Sequence, residues 1–155
     1  MRHAKSDWAD PSMTDHQRGL NSRGKRDAPK MAQRIIENGI LPELMLVSDA
    51  QRTRETWELI KNNFPSSKTI FTNDLYLASP KVITNYIKSI DNLIDSVLVL
   101  AHNPGITETF LSLGNVQIDN VPTAGVGCIS FLTDDFKNLE ECNSKLEYFT
   151  YPKMS

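Results

Sequence analysis

Two short runs of uninterrupted apolar residues constrain this fold more than any other feature. Leu44-Met45-Leu46-Val47 and Val97-Leu98-Val99-Leu100-Ala101 carry no polar alternation. Each therefore predicts a strand covered on both faces, as in a parallel sheet. Each is followed at once by helix-start signals. Ser48-Asp49-Ala50-Gln51 reads as a capping box, ahead of a helix through Arg52, Thr53, Arg54, Thr56, Trp57, Leu59 and Ile60. His102-Asn103-Pro104-Gly105 closes the second run. Asn103 can cap, Pro104 suits a first helical position, and Phe110, Leu111 and Leu113 continue the helix to Gly114.

The rest of the chain fits around this pair. Residues 7 to 19 are turn-forming and predict a loop. From Leu20 an apolar stripe runs through Ala28, Met31, Ala32, Ile35 and Ile36, with Asn21 as N-cap and Asn38-Gly39 as the stop. Pro29 falls inside the stripe and predicts a kink or the true first turn. Ile70-Phe71 suggests a short strand, and Ser79-Pro80 opens a helix carrying Val82, Ile83, Tyr86, Ile87 and Ile90. Val126 to Leu132 and Leu146 to Tyr151 predict a terminal hairpin after a turn at Val121–Gly125. The pattern predicts a single domain over residues 1–155, a three-layer αβα sandwich with a mainly parallel central sheet.

A net charge of −2 argues against a general nucleic-acid binder. No run of about 18 apolar residues predicts a membrane span, and the start has no apolar stretch of signal-peptide type. Cys128 and Cys142 match no zinc or redox spacing, so free thiols in a cytoplasmic protein are expected. No heptad or exposed apolar stripe stands out, so the sequence does not fix the oligomeric state, and a monomer is the favoured expectation.

The chemistry-bearing residues lie at three places. His3, flanked by Arg2 and Lys5, is a nitrogen nucleophile beside fixed positive charge. Arg52 lies one turn inside a helix that begins at a strand's carboxyl end, where ligands bind in open α/β sheets and where helix N-termini attract anions. His102 occupies the equivalent place after the second strand. The alternatives are structural. Arg52 and Arg54 could form a surface face with Glu55 and Glu58, the preferred reading for Arg54, and His16 reads as a solvated surface histidine.

Taken together, these segments resemble the histidine phosphatase superfamily (phosphoglycerate mutase-like), and in particular its SixA-type phosphohistidine phosphatases. The resemblance rests on Arg2-His3-Ala4-Lys5-Ser6, on Leu20 to Pro29, on Ser48-Asp49-Ala50-Gln51-Arg52-Thr53-Arg54-Glu55-Thr56, and on Ala101-His102-Asn103-Pro104-Gly105. Val121-Pro122-Thr123-Ala124 and Leu146 to Phe149 extend it to the C-terminal strands. It implies that His3 forms a phosphohistidine intermediate while Arg2, Arg52 and His102 hold the phosphoryl oxygens. The attacking imidazole would be neutral, with its pKa lowered by neighbouring positive charge, and His102 protonated. No metal or other cofactor is expected. The substrate implied is a phosphorylated protein, or a small phosphate ester, with neither nucleic acid nor membrane as partner.

The resemblance also implies an apolar strand ahead of Arg2-His3, where this sequence has only Met1. Either the start is trimmed, or His3 sits on a frayed terminus. A general acid is not identifiable: Asp74 is the only carboxylate between Asp74 and Pro80. Its absence suits a phosphoramidate, whose imidazole leaves more easily than an alkoxide. Two alternatives stay open: a small-molecule phosphomonoesterase on the same scaffold, and a phosphate-binding module without turnover.

Overall fold

The computed structural model describes residues 1–154. The element order is α1 (Ser22–Glu37), β1 (Leu44–Ser48), α2 (Gln51–Ile60), β2 (Lys68–Thr72), α3 (Pro80–Lys88), β3 (Val97–Leu100), α4 (Gly105–Gly114), β4 (Val126–Phe131) and β5 (Ser144–Thr150). β1, β2 and β3 form a parallel sheet in the order β2-β1-β3, and β4 pairs antiparallel with β5. β1 is flanked by partners on both edges, and Leu44 to Ser48 are all buried. Its apolar run is therefore explained by two covered faces.

Alternation within the sheet divides the core. Met45, Val47, Leu98 and Leu100 pack with Ala28, Met31, Ala32 and Ile35 of α1 and Ile60 of α2. Leu44, Leu46 and Ala101 pack on the opposite side with Ile83 and Ile87 of α3 and Ile106, Phe110 and Leu113 of α4. Helices cover both faces of a mainly parallel sheet, which is the expected three-layer arrangement. Among the described residues no helix is long and apolar enough to cross a membrane.

Local signals act where expected in most cases. Asn21 Oδ1 accepts from the Gly24 N–H at 2.9 Å, and Gly39 leaves α1 with φ of +76°. Helix α1 begins seven residues before Pro29 and runs through it, so this proline is not its first turn. The capping box at Ser48 is not used. β1 continues through Ser48, α2 starts at Gln51, and Ala50 stands at the cap position without a side-chain bond. Ser48 is still strand, three residues before the helix, so its buried hydroxyl bonds to His102 at 2.8 Å and accepts from the Ala50 N–H at 3.5 Å rather than capping the first turn.

The segment Met1–His3 is pinned rather than frayed. Arg2 pairs in parallel with Ala101, at the end of β3. The His3 N–H donates to Ala101 O (3.1 Å) and the Ala101 N–H to Met1 O (3.2 Å). On the other side the Arg2 N–H donates to Gly125 O, and the Ala124 N–H to His3 O, both at 3.0 Å. The segment thus joins β3 to the chain entering β4. His3 is thus held on both edges, in a fixed position at the end of β3.

Candidate active site

In the order β2-β1-β3 the winding of the parallel sheet reverses at β1, which makes a topological switch point, and the cleft lies at the carboxyl ends of β1 and β3. Open α/β sheets bind ligands at this place. Ser48 ends β1, His102 follows β3, Arg52 stands in the first turn of α2, and Arg2-His3 lies against Ala101. Four stretches far apart in sequence therefore converge there.

His3 is 7% exposed, and its Nδ1–H donates to Ala4 O at 2.7 Å. That bond fixes the tautomer and leaves the Nε2 lone pair free. The neighbouring Ala4 N–H donates to Thr56 Oγ1 (3.0 Å), whose hydroxyl donates to Arg52 O (2.7 Å). The nucleophile candidate and the arginine are thereby tied to the same turn of α2. Burial pushes the His3 pKa down to about 4, aided by the charges of Arg52 and Arg2 and opposed by the Ala4 hydrogen bond.

The His102 ring centroid is 5.1 Å from that of His3. Its Nε2 shares a hydrogen bond with Ser48 Oγ at 2.8 Å, while its buried Nδ1 meets no partner among the described residues. Burial first, then the proximity of His3 and Arg52, lowers its pKa to about 3. His102 is therefore neutral in the free protein, contrary to the protonated state expected from sequence. A neutral imidazole still offers one N–H.

Arg52 is 4% exposed, which rules out the surface reading for it. Its Nη1–H donates to the main-chain O of Asp15 (2.6 Å) and its Nη2–H to Asp15 Oδ2 (2.9 Å). Arg54 is exposed, as expected, but bonds to Asp49 O rather than to Glu55 or Glu58. Arg2 donates from Nη1 to Val121 O (3.0 Å), while its Nε is buried without a partner among the described residues. Asp74 accepts from the Tyr86 hydroxyl and is exposed, so it lies on the α3 surface and not among these groups.

Sequence reasoning missed three residues here. Asp15 belongs to a 3₁₀ turn, Asp15–Gln17, within the predicted loop. The Tyr76 hydroxyl donates to Asp15 Oδ2 at 2.6 Å, and its ring stands edge-on to His102 at 5.4 Å. His16 donates from Nε2 to Asp49 Oδ1 at 2.9 Å and packs edge-on to Tyr76 at 4.8 Å, so it is bound into the rim rather than freely solvated. No local pattern marks these residues, because their meaning comes from contacts across 33 to 61 positions of chain.

Comparison with known proteins agrees with this geometry. Residues 1–75 match the profile of the histidine phosphatase superfamily (branch 1). A chloroplastic protein of Arabidopsis thaliana, itself uncharacterised, is 33% identical over 128 residues, or 76% of this chain. The chain spans 59% of the length of that relative. Among solved structures, SixA of Agrobacterium tumefaciens, assigned as a phosphohistidine phosphatase, superposes with a TM-score of 0.85 at 25% identity, covering 98% of this chain and 95% of that one. The protein histidine phosphatase SixA complexed with tungstate superposes with a TM-score of 0.81 at 20% identity, covering 98% and 94%. The motif-bearing residues brought together at the strand ends, the profile match and these whole-chain superpositions lead to one assignment: the chain belongs to the histidine phosphatase superfamily, in its SixA-type branch.

Proposed function

We propose that the protein removes the phosphoryl group from phosphohistidine on a protein through a covalent phosphohistidine intermediate on His3. One observation carries this reading. Nδ1–H of His3 is committed to Ala4 O, so a neutral Nε2 lone pair remains free beside Arg2, Arg52 and His102. In the first step Nε2 attacks phosphorus as the P–N bond of the substrate breaks, and the departing imidazole keeps that electron pair and takes a proton from solvent. In the second step water attacks the phosphorylated His3, releasing orthophosphate and regenerating Nε2, and the surplus proton of the water passes to solvent.

The surrounding residues suit the electrostatic demands of phosphoryl transfer, which is mostly positioning and charge stabilisation. Two guanidiniums match the phosphoryl oxygens, and their charges also hold His3 unprotonated. The buried, unpartnered Arg2 Nε and His102 Nδ1 are donor positions that a phosphoryl oxygen would satisfy. No proton donor is assigned. Partial burial pushes Asp15 up, but the Tyr76 hydroxyl and the Arg52 guanidinium hold it below its ordinary pKa, so it stays ionised. An imidazole leaving group tolerates this better than an alkoxide does. One SixA neighbour is a complex with tungstate, a tetrahedral oxyanion, which supports binding of such a group by proteins of this fold.

The test is phosphate release from a phosphohistidine protein and from an aryl phosphate, for the wild type and His3→Ala. Release from the phosphohistidine protein is expected to vanish in His3→Ala. Full activity in that variant would end the reading, and a clear preference for small phosphate esters would move the substrate class.

A further inference from the structure

The far end of Arg52 is held by one residue. Nη1 donates to the Asp15 main-chain oxygen at 2.6 Å and Nη2 to its carboxylate at 2.9 Å. Tyr76 donates to the same carboxylate oxygen at 2.6 Å. Both supports are themselves fixed. Arg18, buried behind the loop, donates to Asp10 O (2.8 Å) and Met13 O (3.0 Å) and lies over the Trp8 ring, which sets the path of the chain into Asp15. Leu77, directly after Tyr76, has a φ of 48°, a left-handed conformation unusual for a leucine. Such strain persists only where the surroundings over-determine the backbone.

A guanidinium has five N–H donors. Asp15 occupies one on each Nη, which leaves three, the Nε–H and one N–H on each Nη, for other acceptors. Arginine is otherwise a long, rotatable side chain, and a displacement of about 1 Å in a catalytic contact can cost roughly a hundredfold in rate. Resting on the phosphatase reading above, we propose that Asp15, buttressed by Tyr76, is a positioning residue that anchors Arg52 so that its remaining donors meet the phosphoryl group on His3.

The charge makes the consequence specific. A carboxylate beside the cleft opposes binding of a phosphate anion in the ground state. Its benefit therefore lies in kcat, while KM is not improved by it. Arg52 would address the phosphoryl oxygens and not the leaving group, so the benefit is shared by substrates with different leaving groups.

The experiment measures kcat and KM for phosphohistidine protein and aryl phosphate in Asp15→Ala, Asp15→Asn, Tyr76→Phe and the Asp15→Ala/Tyr76→Phe pair, with thermal midpoints to check folding. Asp15→Ala is expected to lower kcat by about tenfold to a hundredfold on both substrates without raising KM. Asp15→Asn, which keeps an acceptor oxygen, retains more of the rate. Tyr76→Phe lowers kcat in the wild type but adds nothing in the Asp15→Ala background, because its hydroxyl acts through that carboxylate.

A kcat within about twofold of wild type, a loss confined to KM, a loss confined to one leaving group, or additive effects in the pair would each overturn the proposal. If the wild type turns over neither substrate, the phosphatase reading fails separately, and orthovanadate affinity decides the anchor. Weakening in Asp15→Ala that matches Arg52→Ala upholds it; unchanged or tighter binding overturns it.

Discussion

At the scale of single residues, His3 and His102 stand with ring centroids 5.1 Å apart, close enough that two charges would repel strongly. Burial and the nearby guanidiniums keep both neutral, with pKa values of about 4 and about 3. In the unfolded chain both return to the ordinary value near 6.5. Between those limits the unfolded state binds protons that the folded state refuses, so stability falls as pH drops. It is full above the unfolded value and is lost progressively from about pH 6.5 toward the folded values. Asp15, held below its ordinary pKa, contributes with the same sign at lower pH. Thermal midpoints between pH 7 and pH 4.5 are expected to decline in the wild type and to decline less in His102→Asn. A flat profile in the wild type would contradict neutral, buried histidines.

At the scale of elements, the site depends on how closely α1 approaches the Ala4–Lys5 backbone. A Cβ on Gly24 would stand 2.3 Å from Lys5 O and 2.9 Å from Lys5 N. The Asn21 N–H meanwhile donates to Lys5 O at 3.0 Å, so the start of α1 and the segment after His3 are docked backbone to backbone. Glycine is required here for space. Gly24→Ala is expected to push helix and segment apart, at about 1–3 kcal/mol of stability. Because the displaced segment carries Ala4 O, which sets the His3 tautomer, activity should fall further than the stability loss explains. Chemical denaturation alongside turnover checks this; normal turnover in a destabilised variant would show that His3 is held independently of α1.

At the scale of the whole molecule, the two core halves meet through the sheet, and β3 carries the load for both the interior and the site. Leu100 is fully buried among α1, β1 and the first residues of the chain, two positions before His102. Leu100→Ala is expected to cost about 2–5 kcal/mol, readable from denaturant unfolding. A cavity of about 390 Å³, lined by Val97, Val99, Ile106, Phe110 and Ile129, lies between β3, α4 and β4. The cleft is defined instead by polar groups converging at the strand ends.

Sequence alone determined the residues whose neighbours in the chain define them. The runs at Leu44 and Val97 read as strands, covered on both faces in β1 while Val97 and Val99 of β3 stay half-buried; Asn21 and Gly39 could bound a helix locally, and Arg2-His3, Arg52 and His102 were visible because each sits beside a strand or helix boundary. Tertiary structure decided what depends on a partner from elsewhere. Ser48 reads as a helix cap until sheet pairing carries β1 through it and sets its hydroxyl against His102, 54 residues away. His102 reads as protonated until burial beside His3 and Arg52 removes its charge. His3 reads as a loose terminal residue until Ala101 and Ala124 bond it on both sides. Asp15, Tyr76 and His16 read as ordinary loop and surface residues because desolvation and long-range hydrogen bonding leave no periodic trace in a sequence.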